Sequence, residues 1–185
     1  MRFFIIDIEA LDPYARHWIA VHAILYRVNT DEIEQSFTAY VKREEKASGP
    51  QVTFWERNQM AANFLSNRAT EDEKTAEDRF VKWLDDYIFP AKDVTMVADN
   101  APYEMQWMNR ILERHQHAPF QASFNRFLHP ICLATMSLFH PIYAPNSNAV
   151  RTLQSSGPPH TPERDVGDQL YKALSYSTFF YGHHL

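Results

Sequence analysis

Arg2-Phe3-Phe4-Ile5-Ile6-Asp7-Ile8-Glu9 is the stretch on which the reading of the fold turns. Phe3 to Ile6 is an unbroken apolar run, the pattern of a strand buried on both faces in the middle of a mixed or parallel sheet. Two carboxylates then arrive at its C-terminal end. Asp7 and Glu9 are two apart, and alternate residues of a strand share a face. Like charges on one face repel unless something positive sits between them. A divalent cation does this, because hard cations take oxygen ligands. The plainer alternative is a pair of acids capping a solvated strand end, and a lone D-x-E spacing does not separate the two.

Composition narrows the setting. A chain of 185 residues, 45% hydrophobic and 14% aromatic, is expected to form one compact domain with a proper core. No apolar run approaches the ~18 residues that span a membrane, and no signal-peptide pattern precedes the first strand. Cys132 is the only cysteine, so no internal disulfide is possible and a reducing, cytoplasmic setting is expected. The formal net charge of −5 argues against coating nucleic acid by charge alone. It leaves room for an enzyme that grips a few nucleotides with metal-supplied positive charge. The oligomeric state stays open, a homodimer included.

Working outward, Asp12-Pro13 marks a turn, and His17 to Val28 reads as a long second strand. Asn29-Thr30-Asp31 is turn chemistry, and Glu34 to Val41 alternates well enough for a third strand at the edge. A charged loop, Lys42 to Pro50, follows. Thr53 with Glu56 three residues on predicts a capping box and a helix to about Asn67. Thr70 is the expected cap of the next helix, whose stripe of Phe80, Trp83, Leu84 and Tyr87 faces a core. Val94 to Ala98 is a fourth strand, and Pro102 to His115 a helix with Tyr103, Trp107, Ile111 and Leu112 inward. His115 and His117 read as surface residues. Pro119 to Pro130, with Arg126, is read as irregular. Ile131 to Phe139 is read as a short helix, and Tyr143 to Pro159 as a loop with a possible turn at Val150 to Leu153. Thr161, followed by Pro162 in the favoured first helical position, caps a last helix reaching about Phe180. The order β-β-β-α-α-β-α-α-α predicts an α/β fold, a mixed sheet centred on the first strand with helices on both faces.

Three places bring acids to one edge if strands one and four are parallel neighbours: Asp7 and Glu9, then Asp99 and Glu104, then His160 and Asp165. Open α/β sheets place ligands at that edge. Uncompensated repulsion there would cost several kcal/mol, which two divalent ions ~3.5–4 Å apart would offset, as in two-metal phosphoryl transfer.

With these motifs on one edge, the chain resembles the DEDDh 3′–5′ exonucleases, which have an RNase H-like fold. The resemblance covers nearly the whole chain and rests on Ile6-Asp7-Ile8-Glu9, Asn100-Ala101-Pro102-Tyr103-Glu104, and His160-Thr161-Pro162-Glu163-Arg164-Asp165. Thr53-Phe54-Trp55-Glu56-Arg57-Asn58-Gln59 is similar to a segment of bacteriophage-type exonucleases and related bacterial exoribonucleases. The resemblance implies a single-domain hydrolase, residues 1–185, that releases nucleoside monophosphates from the 3′ end of single-stranded DNA or RNA. It implies two ions, Mg²⁺ or Mn²⁺. Asp7 would bridge both, Glu9 and Asp165 would bind the first, and Glu104 or Asp99 would complete the second. His160 would orient and deprotonate the attacking water, work suited to imidazole. Ile8, Ala10 and Leu11 would line the terminal base pocket, with Asn100 beside the strand. Trp55 would stack on a base, or else simply be a core tryptophan. The family has aspartate where this chain has Glu104, so a weakly active or inactive nucleic-acid-binding module of the same fold is the alternative. A domain whose acids are merely solvated is a third reading.

Overall fold

The computed structural model describes residues 1–91, 93–119, 131–133 and 147–181. Its centre is β1 (Arg2–Ala10), longer by a residue at either end than the apolar run and its acids suggested. β2 (Trp18–Arg27) pairs antiparallel with it, and β3 (Glu32–Tyr40) pairs antiparallel with β2. On the other side β4 (Val94–Ala98) runs parallel to β1, joined in turn by the two-residue β5 (Ile131–Cys132). The order β3-β2-β1-β4-β5 makes an open mixed sheet with β1 in the middle and β3 at one edge. Ile131–Cys132 is thus strand, not the start of the expected helix. Helical backbone begins only at Leu133, and 134–139 lie outside the described residues. So do 120–130, with Arg126, and 143–146.

The alternation of β1 divides the core. Phe4, Ile6, Ile8 and Ala10 face one layer, and Phe3 and Ile5 the other. The first layer is covered by α3 (Glu73–Trp83) and α4 (Ala101–Arg114). Its rings interlock: Trp18 meets Trp107 edge-on at 5.3 Å and Phe80 lies 5.0 Å from Trp107, contacts worth roughly 0.5–1.5 kcal/mol each beyond their burial. The second layer is covered by α5 (Asn148–Gln154) and α6 (Pro162–Tyr181). This is the α/β architecture of the RNase H-like fold.

Several boundaries differ from expectation for local reasons. Thr53 and Glu56 are not a capping box, because the helix has already begun. α1 (Pro50–Arg57) starts from Gly49, at φ 59°, with Pro50 in its first turn. It ends at Asn58, whose side-chain amide donates to the Phe54 carbonyl and competes with the ladder. α2 (Gln59–Arg68) follows at once. Thr70 does not cap α3; Asp72 does, accepting from the backbone N–H of Thr75 at 2.9 Å. Tyr87 is not inward. After Trp83 the backbone widens into a π-turn over Leu84–Ile88, with Phe89 N–H donating to Leu84 O at 2.9 Å. The extra residue moves the phase by one, so Ile88 is buried and Tyr87 exposed. Val150 to Leu153 is part of a true helix, α5, capped by Ser147. His115 and His117 lie at the surface, near Asp78 and Asp85. Thr161 precedes α6 as expected, but its hydroxyl donates to Pro158 O.

Candidate metal centre

The parallel pairing of β1 and β4 brings their C-terminal ends to one edge, and α6 crosses the second face of the sheet above it. Asp7 and Glu9 point from β1 toward α6. A register shift after Glu9 leaves Ile19 unpaired opposite the strand end, a bulge of the kind that re-aims side chains near sites. Asp165, in the first turn of α6, meets them: one oxygen from each of Asp7, Glu9 and Asp165 lies within 4.8 Å of the others. Three of the predicted site residues, 158 positions apart at the extremes, are therefore brought together.

The electrostatics are those of acids that outnumber the positive groups beside them. Burial pushes the Asp7 carboxyl well up, helped by the charges of Asp165, Glu104 and Asp99; Lys172 opposes them. Glu9 is raised by burial, then by Asp7 and Asp165. Asp165 is raised by burial, against the pull of His160. Glu104, in the first turn of α4, is only 4% exposed, and burial is the main reason it is pushed up to about 8. Its Oε2 is buried with no hydrogen-bond partner among the described residues. Such a set is oxygen-only and crowded, and its charged form gains from added positive charge, which is the donor chemistry a hard divalent cation needs.

The other expected residues are placed less uniformly. Asp99 is half-exposed and holds Lys172 at 2.7 Å, so it is engaged where Glu104 is not. His160 lies at the end of the turn before α6 with φ 61°. Its backbone N–H donates to Asp165 Oδ1 at 3.3 Å, its Nδ1 is 4.0 Å from Asp165 Oδ2, and its ring meets Phe54 edge-on at 5.0 Å. Asn100 is exposed at the mouth. Ile8 and Ala10 have their side chains buried in the opposite layer, whereas Leu11 borders Trp55. Trp55 itself is buried and donates from Nε1 to Ala10 O at 3.0 Å, tying α1 to the end of β1.

Sequence reading missed Gln169 and Lys172. Gln169 is buried and donates from Nε2 to Asp7 Oδ1 at 2.9 Å. With Asp165 they stand at i, i+4 and i+7 of α6, one stripe of a helix. That spacing was the available signal.

No family model matches the chain, and neither does any curated protein. Solved structures do. The zinc-bound complex of E. coli exonuclease I with single-stranded DNA superposes with a TM-score of 0.66 at 15% identity, over 98% of this chain and 41% of that one. A structure of exonuclease I described as suggesting how processivity is achieved gives 0.64 at 15%, over 96% and 41%. The ExoI/SSB-Ct complex gives 0.61 at 15%, over 96% and 41%. At the level of the fold, this chain is similar to exonuclease I. It spans about two fifths of the length of those chains.

Proposed function

We propose that residues 1–185 form a single metal-dependent 3′–5′ exonuclease domain that acts on single-stranded DNA or RNA and releases nucleoside monophosphates. The convergence of Asp7, Glu9 and Asp165 carries this reading. The fold it shares with exonuclease I, one of whose structures holds single-stranded DNA, supports it. Asp7, Glu9 and Asp165 would hold one Mg²⁺ or Mn²⁺ ion, and Asp7 with Glu104 a second. Bound ions there would neutralise the carboxylates and polarise the scissile phosphate. Gln169 fixes the orientation of the Asp7 carboxylate. His160 accepts the proton of the attacking water on its imidazole, with Phe54 against one edge of the ring and Asp165 holding its backbone. Asn100 and Leu11 flank the path of the strand.

Glu104 favours one competing reading. It is a methylene longer than the aspartate of the family, and a domain that binds strands without cleaving them would tolerate that. Incubation of matched, 5′-labelled single-stranded DNA and RNA with Mg²⁺, Mn²⁺ or EDTA decides between them. Stepwise shortening from the 3′ end with release of monophosphates, abolished by EDTA, is the expected result. Binding without shortening in either metal would leave the silent module.

A further inference from the structure

The turn that follows β1 meets a cluster of arginines. The turn after β1 folds around buried Asp12, whose carboxylate accepts from the N–H groups of Tyr14 at 2.9 Å and His17 at 2.7 Å. Those bonds outweigh burial and keep Asp12 below its ordinary range. The turn presents Tyr14, 57% exposed, with the Arg16 guanidinium 5.3 Å from its ring centre. Arg110 of α4 donates to the Tyr14 carbonyl, and Arg114 follows one turn later. Arg16, Arg110, Arg114 and the opposing Glu113 line a concavity of about 230 Å³.

The arginines of this concavity are unequally paired. Arg114 is paired with Glu77 at 2.5 Å and lies 3.9 Å from Glu73. Arg16 is 3.4 Å from Asp12, whose oxygens already take two backbone N–H bonds. Arg110 is half-buried and has no carboxylate within ion-pair distance among the described residues. Burial first, then Arg114 and Arg16 beside it, lower its pKa against the opposing pull of Asp12 and Tyr103. A bound anion would offset that crowding, and the planar guanidinium fork suits phosphate oxygens. An exposed aromatic next to it suits a base, since every base offers a face to stack.

Distance along α4 gives the register. Arg110 is six residues beyond Glu104, about 9 Å along the helix axis and about a third of a turn round it. A stacked strand advances ~3.4 Å per nucleotide, so the axial part alone is worth about three nucleotides. Building on the exonuclease reading, we infer that Arg16, Arg110 and Tyr14 form a distal phosphate-and-base subsite that holds the substrate strand about three or more nucleotides 5′ of the scissile bond. It sets the shortest strand that is turned over efficiently.

The test uses an Arg16→Gln/Arg110→Gln double variant; Arg114 is kept because its loss would strand buried Glu77. Two readouts are taken with oligothymidylates: kcat/KM in Mg²⁺ on strands of two to eight nucleotides, and the salt dependence of anisotropy of a labelled eight-nucleotide strand in EDTA. In the wild type kcat/KM should climb ten-fold or more between two and five nucleotides, and the variant should lack that climb. Its log–log salt slope should fall by about 1.4, at ~0.7 per phosphate contact on a single strand. The same length dependence in both proteins overturns the subsite and leaves the exonuclease reading standing. No hydrolysis at any length, with the slope difference intact, overturns that reading and leaves the subsite. Equal slopes, or no binding by the wild type, overturn the subsite. Should the double variant not fold, the single Arg16→Gln variant, altered only at an exposed side chain, should lose about 0.7 of the slope, and an unchanged slope in it overturns the subsite.

Discussion

Asp7 sits where three constraints meet: it is hydrogen-bonded by Gln169, crowded by Asp165 and half-buried against α6. Asp7→Asn preserves the shape and the bond to Gln169 but removes a charge from the cluster. Hydrolysis should drop to background, while the melting temperature in EDTA rises by about 3 °C, the scale of ~1 kcal/mol in a domain of this size. Near-normal turnover in that variant would remove the metal assignment. For the second cation, Glu104→Ala should be nearly inactive and Asp99→Ala, already held by Lys172, should lose less. Glu104→Asp should keep or improve turnover. The reverse order would move that site to the end of β4. His160→Ala should slow turnover ~100-fold or more, the range for removing a general base, with the metal-induced rise in melting temperature retained. If that rise is lost as well, His160 is a ligand. Of these residues, Asp7, Glu9 and Asp165 were legible because strand alternation and a proline-led helix start leave little freedom. Gln169 was not, since one amide among many polar helix residues carries no signal until the facing strand is known.

Among the elements, the strands were legible and the caps were not. Unbroken or alternating apolar runs define β1 to β4 without outside help. α5 was read as loop because its stability comes from far away in sequence. Asp31, in the turn after β2, accepts from Ser147 Oγ at 2.6 Å and from the Asn148 N–H at 2.9 Å. β5 was missed because two residues have no periodicity. Asp72 took the capping role from Thr70, as a carboxylate accepts more strongly and lies nearer the first turn. α1 shows how an element far from the acids still serves the site. Trp55→Phe removes its bond to Ala10 O and leaves that carbonyl only the longer bond from Gln51 Nε2 at 3.4 Å, a cost of about 1 kcal/mol. Urea unfolding should show a loss of that size. Turnover should fall too, because Ala10 follows Glu9 in the same strand; full activity with the stability loss would confine Trp55 to packing.

For the molecule as a whole, the titrating groups pull in opposite directions. Burial lowers the His22 imidazole from 6.5 to about 4. The unfolded chain therefore binds a proton there that the fold does not, and stability is lost as pH falls through that window. Glu104 moves the other way, from 4.5 to about 8. The fold keeps a proton that the unfolded chain releases, so stability falls as pH rises through that range, with Asp7, Glu9 and Asp165 adding the same sign. Between pH 6.5 and 8 the raised carboxylates act without His22. The melting temperature in EDTA should fall over that interval, and Mg²⁺ or Mn²⁺ should restore most at its upper end, where the acids are emptiest of protons. A flat profile in EDTA would show that these carboxylates are solvated rather than buried together.

The position of β1 also has a consequence for how the chain reaches this state. It is the middle strand, yet only the β2–β3 hairpin is near it in sequence. β4 comes from residues 94–98, and the Gln169 that covers Asp7 is 162 positions away. During synthesis the flank of β1 that β4 fills thus stays open until residues 94–98 have left the ribosome, and the face that α6 covers stays open until that helix has. Pairings of such long sequence separation form late and slowly, and an open strand flank held that long is a place for nascent chains to associate. Refolding at high dilution should therefore recover more protein than refolding at high concentration, and a holdase present during translation should matter more for this domain than for a helical bundle of the same length.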